Sequence, residues 1–194
     1  MSTLGTDYWN ERYNRSETGW DIGFASPPLT AYIDQVTDRN SRILIPGCGN
    51  AYEVEYLLKA GFKNITVIDI APSLTAALGR RFNNWVDKEL KILTGNFFSL
   101  SGQFDLILEQ TFFCALDPSL RPDYVSQMAA LLAPEGILAG VLFNRSFVGG
   151  PPFGGSIEEY ESLFQKEFSR RLMEPCYNSI NPRLGTELFI RLKK

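Results

Sequence analysis

Hydrophobic positions in this chain gather into short apolar runs separated by stretches of helical period. Apolar runs bounded by turn residues occupy residues 42–46, 64–69, 90–94, 104–109 and 136–143, and each reads as a strand. Between them, 51–60, 73–86 and 122–133 read as helices. Gly61 stops the first, Ser73 can cap the second, and Pro134 with Gly136 ends the third. Two leading helices are expected over 7–13 and 29–38. Strands alternating with helices imply a parallel sheet wound by right-handed crossovers.

The rhythm changes in the last quarter. A helix over 157–168 precedes strands at 170–175 and 187–192, with a turn-rich segment at 178–185 between them. Two strands so close in sequence pair antiparallel. The expectation is an α/β, Rossmann-like fold: a mostly parallel seven-stranded sheet with a C-terminal antiparallel hairpin and helices on both faces. No internal repeat or linker divides the chain. Residues 1–194 are read as a single domain, with 1–40 as a helical and aromatic lid segment and 41–194 as the core.

Length and composition narrow the function. A chain of 194 residues has room for one well-buried core and is short for two enzyme domains. Lys and Arg are scattered, and the net charge is −3, so the stripe of cations that a phosphate backbone requires is missing and nucleic acid is not an expected partner. No apolar run approaches the ~20 residues of a membrane span, and the polar start is no signal peptide. A cytoplasmic monomer acting on small molecules is expected, with no membrane partner. Cys48, Cys114 and Cys176 have no paired spacing, so no metal site or disulfide is expected. The absence of any histidine removes the commonest general base.

The most specific segment is Ile45-Pro46-Gly47-Cys48-Gly49-Asn50-Ala51-Tyr52, followed twenty residues after Gly49 by Asp69 at a strand end. A strand, a glycine turn, a helix and a second strand ending in an acid bind adenosine-bearing cofactors in βαβ folds. A dinucleotide fingerprint places a third glycine where Tyr52 stands, so a nicotinamide-dependent oxidoreductase is the weaker reading. S-adenosyl-L-methionine needs the close backbone approach of Gly47 and Gly49 and an acid for its ribose hydroxyls, but has no phosphate to cradle. Asp69, with Ile70 beside it, suits that diol; otherwise it is an acid near a helix cap.

Ligands in open α/β sheets bind beyond the carboxyl ends of the strands. There, Asn96 can meet an adenine amino group with Phe97 or Phe98 against the ring, or can be a polar turn before two core aromatics. Gln110 and Glu109 can meet the charged end of a cofactor or stand in solvent. Trp9 and Tyr13, four apart on one helix face, either pack on the sheet or join Trp20 in holding a sulfonium cation against aromatic faces. Trp20, on an expected loop, is the candidate lid.

These motifs together resemble the thiopurine S-methyltransferase superfamily. The likeness runs through Trp9 to Asp21, Pro-Gly-Cys-Gly at 46–49, Gly95-Asn96-Phe97-Phe98, Thr111-Phe112-Phe113-Cys114-Ala115-Leu116, Pro118 with Arg121-Pro122, and Gly149-Gly150-Pro151-Pro152-Phe153. It is nearest to the halide and thiol methyltransferase branch. The resemblance implies a class I methyltransferase fold, S-adenosyl-L-methionine as cofactor and S-adenosyl-L-homocysteine as product. It implies cofactor contacts from Trp9, Tyr13, Trp20, Gly47, Asp69, Asn96, Phe97 and Gln110. The family often carries tryptophan, aspartate and tyrosine where this chain has Tyr13, Asn96 and Gln110.

Methyl transfer from a sulfonium needs alignment and exclusion of water more than it needs a base, and a thiolate or halide is competent near neutral pH. The expected acceptor is therefore a small soft nucleophile: a thiol, hydrosulfide, halide or thiopurine-like sulfur. Its pocket is expected to be walled by Phe112, Phe113, Phe147, Phe153 and Trp20. Asn144, Arg145 or Arg121 would supply polar contacts. Arg145 either attracts an anionic nucleophile or is a surface charge, and no catalytic residue is assigned. A catalytically silent cofactor-binding protein of the same fold is the alternative.

Overall fold

The computed structural model describes residues 4–194. Its strands are β1 (Arg42–Pro46), β2 (Asn64–Asp69), β3 (Leu90–Thr94), β4 (Phe104–Gln110), β5 (Leu132–Phe143), β6 (Arg170–Pro175) and β7 (Glu187–Lys193). They form one seven-stranded sheet in the order β3-β2-β1-β4-β5-β7-β6. The first five pair in parallel, β7 runs antiparallel against β5, and β6 runs antiparallel against β7. The strand order reverses direction between β1 and β4, and a crevice opens there beyond the strand ends.

Side chains of successive strand residues point to opposite faces, and β1 shows what this does. Leu44 joins a core with Ile107, Tyr124, Met128, Tyr160 and Phe164, under helices α5 (Arg121–Leu131) and α6 (Ile157–Phe164). Its neighbours Ile43 and Ile45 join the other core with Leu29, Val54, Leu57 and Leu74. That core lies under α2 (Pro27–Ile33), α3 (Tyr52–Lys59) and α4 (Pro72–Arg81). Both faces are covered, so β1 reads as a continuous apolar run. Burying one such Leu or Ile contributes roughly 1.5–3 kcal/mol, and Leu44→Ala would cost about 2–5 kcal/mol.

Several boundaries differ from the sequence reading for identifiable reasons. Ser73 does not cap α4: the capping residue is Ala71, whose amide donates to Asp69 Oδ1 at 3.0 Å. The Ser73 amide instead donates to Asn10 Oδ1 (2.8 Å) of α1 (Thr6–Asn14), so a distant helix supplies the acceptor. Helix α4 ends at Arg81, before Asn83 and Asn84, and the chain folds back in a turn in which the Trp85 amide donates to Phe82 O at 2.8 Å. Pro134 and Gly136 lie inside β5 rather than ending α5. Leu132 is already extended, Glu135 takes a φ of +67°, and the register against β4 slips there as in a bulge. Helices α2 and α6 are each shorter than expected, ending at Ile33 and Phe164. Among the described residues, no helix is long and apolar enough to cross a membrane.

Candidate active site

The crevice holds a cavity of about 660 Å³, within the range of small-molecule sites. Following the strand order, it runs from Asp69 after β2, past the glycine turn after β1, to Gln110 and Phe112 after β4. It continues to Phe143, Arg145 and Phe147 after β5 and to Arg183 before β7.

The turn after β1 folds by left-handed backbone at Gly47 (φ +55°), Gly49 (+51°) and Ala51 (+53°). The Gly47 amide donates to Ile68 O at 2.8 Å, tying the turn to β2. A Cβ on Gly47 would stand 2.2 Å from Phe112 Cδ2, so this glycine makes room for an aromatic wall of the cavity. A Cβ on Gly49 would meet the Tyr13 hydroxyl at 3.4 Å. The Gly49 amide donates to Asp69 Oδ2 at 3.3 Å. Asp69 is buried, and burial raises its carboxyl from the ordinary value against the lowering effect of its amide donors.

Over this end lies an aromatic cluster. The Trp20 ring meets Trp9 edge-on at 5.5 Å and Tyr13 edge-on at 5.8 Å, and all three line the cavity. Burial holds the Tyr13 hydroxyl far above the usual tyrosine range, so it stays protonated. The loop that carries Trp20 is anchored at both sides. Asp21 accepts from Asn50 Nδ2, from the Tyr52 hydroxyl (3.3 Å) and from the Gly23 amide (2.7 Å). Arg183 Nη2 donates to the Trp20 carbonyl at 2.7 Å. Tyr52, standing where a dinucleotide fingerprint has glycine, thus helps to hold the Trp20 loop.

The remaining expected residues divide. Ile70, Asn96, Phe97, Gln110, Phe112, Arg145 and Phe147 line the cavity. Asn96 Oδ1 also accepts from the Phe98 amide (3.0 Å), capping the short turn Phe97–Ser99, as its reading as a polar turn expects. Gln110 is no solvated strand end: its Oε1 is buried without a partner.

Five expected residues turn away. Phe113 is packed into the core, because the Phe113–Ala115 turn directs its ring between Tyr124 and Phe164. Phe153 lies outside the lining, packed on Gly150, with its amide donating to Cys114 O at 2.7 Å. Arg121 is buried in an ion pair with Glu159, donates to Gly154 O (2.7 Å) and covers the Phe113 ring at 4.8 Å. Asn144 Oδ1 accepts from the Ile157 amide (3.2 Å) at the start of α6. Glu109 neither lines the cavity nor meets solvent. It is buried and accepts from the amides of Phe112 (2.8 Å) and Phe113 (2.9 Å) and from the Tyr124 hydroxyl (2.7 Å). Burial pushes its carboxyl up to about 7.

Arg183, Phe143 and Asp21 also line the cavity and were not singled out. Arg183 approaches Trp20 across 163 residues of sequence, a distance that no local pattern signals.

Comparison with known proteins decides the family. The model of the thiopurine S-methyltransferase family matches residues 4–187. The chain belongs to that family. Among its relatives, probable thiol methyltransferase 2 of Arabidopsis thaliana is 31% identical over 201 residues, covering 100% of this chain and 88% of the relative. Thiocyanate methyltransferase 1 of the same plant is 28% identical, covering 96% and 84%. In fold, the chain is similar to Burkholderia thailandensis 1,6-didemethyltoxoflavin-N1-methyltransferase, solved with bound 1,6-didemethyltoxoflavin and S-adenosylhomocysteine. The TM-score is 0.73 at 19% identity, over 97% of this chain and 86% of that one. This family member is a class I, S-adenosylmethionine-dependent methyltransferase.

The donor set fits that cofactor. The three acids lining the cavity, Asp21, Glu53 and Asp69, all lie toward the β1 and β2 end, together with backbone amides and the aromatic cluster. A carboxylate with lone pairs to spare suits a diol, and ring faces suit a cation.

Proposed function

We propose that this thiopurine S-methyltransferase family member methylates small soft nucleophiles, with a thiol or hydrosulfide as the principal class and halides as the simplest members. Its relatives named for thiol and thiocyanate methyl transfer support the reading. The observation that carries it is the chemistry of the acceptor end. Phe112, Phe143, Phe147, Leu116 and the two prolines Pro151 and Pro152 line it, and among the described residues no carboxylate or imidazole does. The acid tuned to neutrality, Glu109, is sealed behind the Phe112 and Phe113 backbone, and burial pushes the Cys114 thiol up. Nothing here is placed to take a proton from an alcohol, whereas a thiolate forms in solvent.

S-adenosylmethionine supplies, when bound, a methyl group already activated on a sulfonium. In this reading Asp69 accepts from its ribose, with Gly47, Gly49, Ile70, Asn96 and Phe97 around the nucleoside. Trp9, Tyr13 and Trp20 attract the cation and exclude water. Gln110 would offer its amide to the cofactor, and Phe112 would wall the cavity between the glycine turn and the acceptor end. The reaction takes place on a monomer in the cytoplasm, where the free, buried Cys48, Cys114 and Cys176 stay reduced.

The test is methyl transfer to hydrosulfide, small thiols, iodide, a thiopurine, and selenium and tellurium oxyanions, against an alcohol series, with calorimetry of S-adenosylhomocysteine binding alongside. Small thiols should react and alcohols should not. The pH at which kcat/KM levels off should follow the pKa of each thiol. A single enzyme pKa governing every acceptor would require a base in the site and overturn the reading.

A further inference from the structure

One wall of the cavity is a pair of rings flanked at each end by a guanidinium, an arrangement that the methyl transfer itself does not explain. The Arg183 guanidinium lies over the Phe143 ring at 5.6 Å, Phe143 meets Phe147 edge-on at 5.0 Å, and the Arg145 guanidinium lies over Phe147 at 4.7 Å. All four residues line the acceptor end. The acids of the cavity lie toward β2, whereas Arg145 and Arg183 lie toward β7; a third arginine of the lining, Arg12, sits on α1 beside the aromatic cluster.

The two arginines are not equivalent. Arg183 is largely buried, pairs with Glu187 (3.5 Å) and donates to Trp20 O, so its charge is balanced and its fork partly used. Arg145 is exposed, and no carboxylate lies within ion-pair distance of it among the described residues. It is nonetheless held in place. The Gly155 amide donates to Arg145 O at 3.0 Å, and a Cβ on Gly154 would stand 1.8 Å from that oxygen, so the loop closes on Arg145 by direct backbone contact. Stacking on Phe147 covers one face of the guanidinium and leaves its in-plane N–H groups free. That fork matches a carboxylate's two oxygens, whereas a spherical halide engages it poorly.

We propose that this wall is a subsite for a carboxylate carried by the methyl acceptor, gripped by Arg145 at the wet rim while the sulfur lies in the apolar interior. The acceptor is then a small thiol with an acidic tail rather than a bare anion. This deepens, and rests on, the small-thiol reading above. Phe147 acts as the platform, and Arg183 supplies the inner positive field.

The experiment uses 3-mercaptopropionate and its methyl ester as acceptors, with rates referred to the thiolate present. In parallel, 3-(methylthio)propionate and its methyl ester are titrated calorimetrically into the complex with S-adenosylhomocysteine. The acid should be preferred to the ester by about tenfold or more in kcat/KM and in product Kd, as expected for a charge-assisted pair. In Arg145→Ala that ratio should collapse toward one. Arg145→Lys should retain part of it, since charge remains and the fork is lost. Equal binding of acid and ester to the unaltered protein, or an Arg145→Ala effect shared by both, overturns the subsite even if thiols are methylated. A binding preference that depends on Arg145, without turnover of either thiol, keeps the subsite and overturns the small-thiol reading instead.

Discussion

Replacing Glu109 by glutamine tests how the cavity wall after β4 is held. The carboxylate is fully buried and receives two backbone amides and the Tyr124 hydroxyl, yet burial lifts it from 4.5 to about 7. In the unfolded chain this group loses its proton near its ordinary value; in the folded chain it keeps it until near neutrality. Between those values the folded state binds more protons, so its contribution to stability falls as pH rises and levels off above about 7. Each pKa unit corresponds to about 1.4 kcal/mol, so this one group removes on the order of 2–3 kcal/mol between about pH 5 and pH 8. Glutamine keeps an acceptor for the Phe112 and Phe113 amides and a group to meet Tyr124, but does not titrate. Urea unfolding of both proteins across that range should therefore show Glu109→Gln gaining on the parent by about 2 kcal/mol as pH rises. A difference that stays flat with pH would mean that Glu109 titrates normally in the folded state, and the burial argument would fail.

Further outcomes concern the glycine turn, Asp69 and the Trp20 loop. Gly47→Ala puts a side chain into left-handed backbone and against the Phe112 ring, and should cost about 2–4 kcal/mol of stability by thermal unfolding; an unchanged Tm would refute the close packing. Asp69→Ala should weaken S-adenosylhomocysteine binding by about 1–3 kcal/mol in calorimetry, and unchanged affinity would confine Asp69 to holding the Gly49 and Ala71 amides. Arg183→Ala removes the ion-pair partner of the buried Glu187, leaving it only the Ser179 hydroxyl, and frees the Trp20 carbonyl. It should destabilise the fold by about 3 kcal/mol and red-shift tryptophan emission; emission and stability both unmoved would show that the Arg183 clasp holds nothing.

Local pattern carries far in this chain because a sheet covered on both faces demands apolar runs, and those runs are visible in one dimension. The parallel strands, the antiparallel hairpin at the end, the glycine turn and Asp69 all follow from spacing and residue type. The aromatic segment around Trp9, Tyr13 and Trp20 was legible as a packed cluster, being too rich in rings for a solvated leader. Capping was less legible. Ser73 has the right chemistry two residues too late: the helix begins at Pro72, so Ser73 lies inside its first turn, where Asn10, sixty-three residues earlier, accepts from its amide.

What only the tertiary structure decided is the direction in which each side chain near the strand ends points. Phe112 and Phe113 are adjacent and chemically identical, yet one walls the cavity and the other fills the core, because a single turn held by Glu109 rotates them apart. Arg121 and Arg145 are both arginines beside the site; Glu159 claims the first, and among the described residues no carboxylate claims the second. Arg183 and Trp20 come together only when β7 is laid beside β5. Composition and period determine which elements form and which chemistry is available. The residues that meet across the cavity are set by long-range packing, because contacts between segments a hundred or more residues apart leave no mark on the local sequence of either.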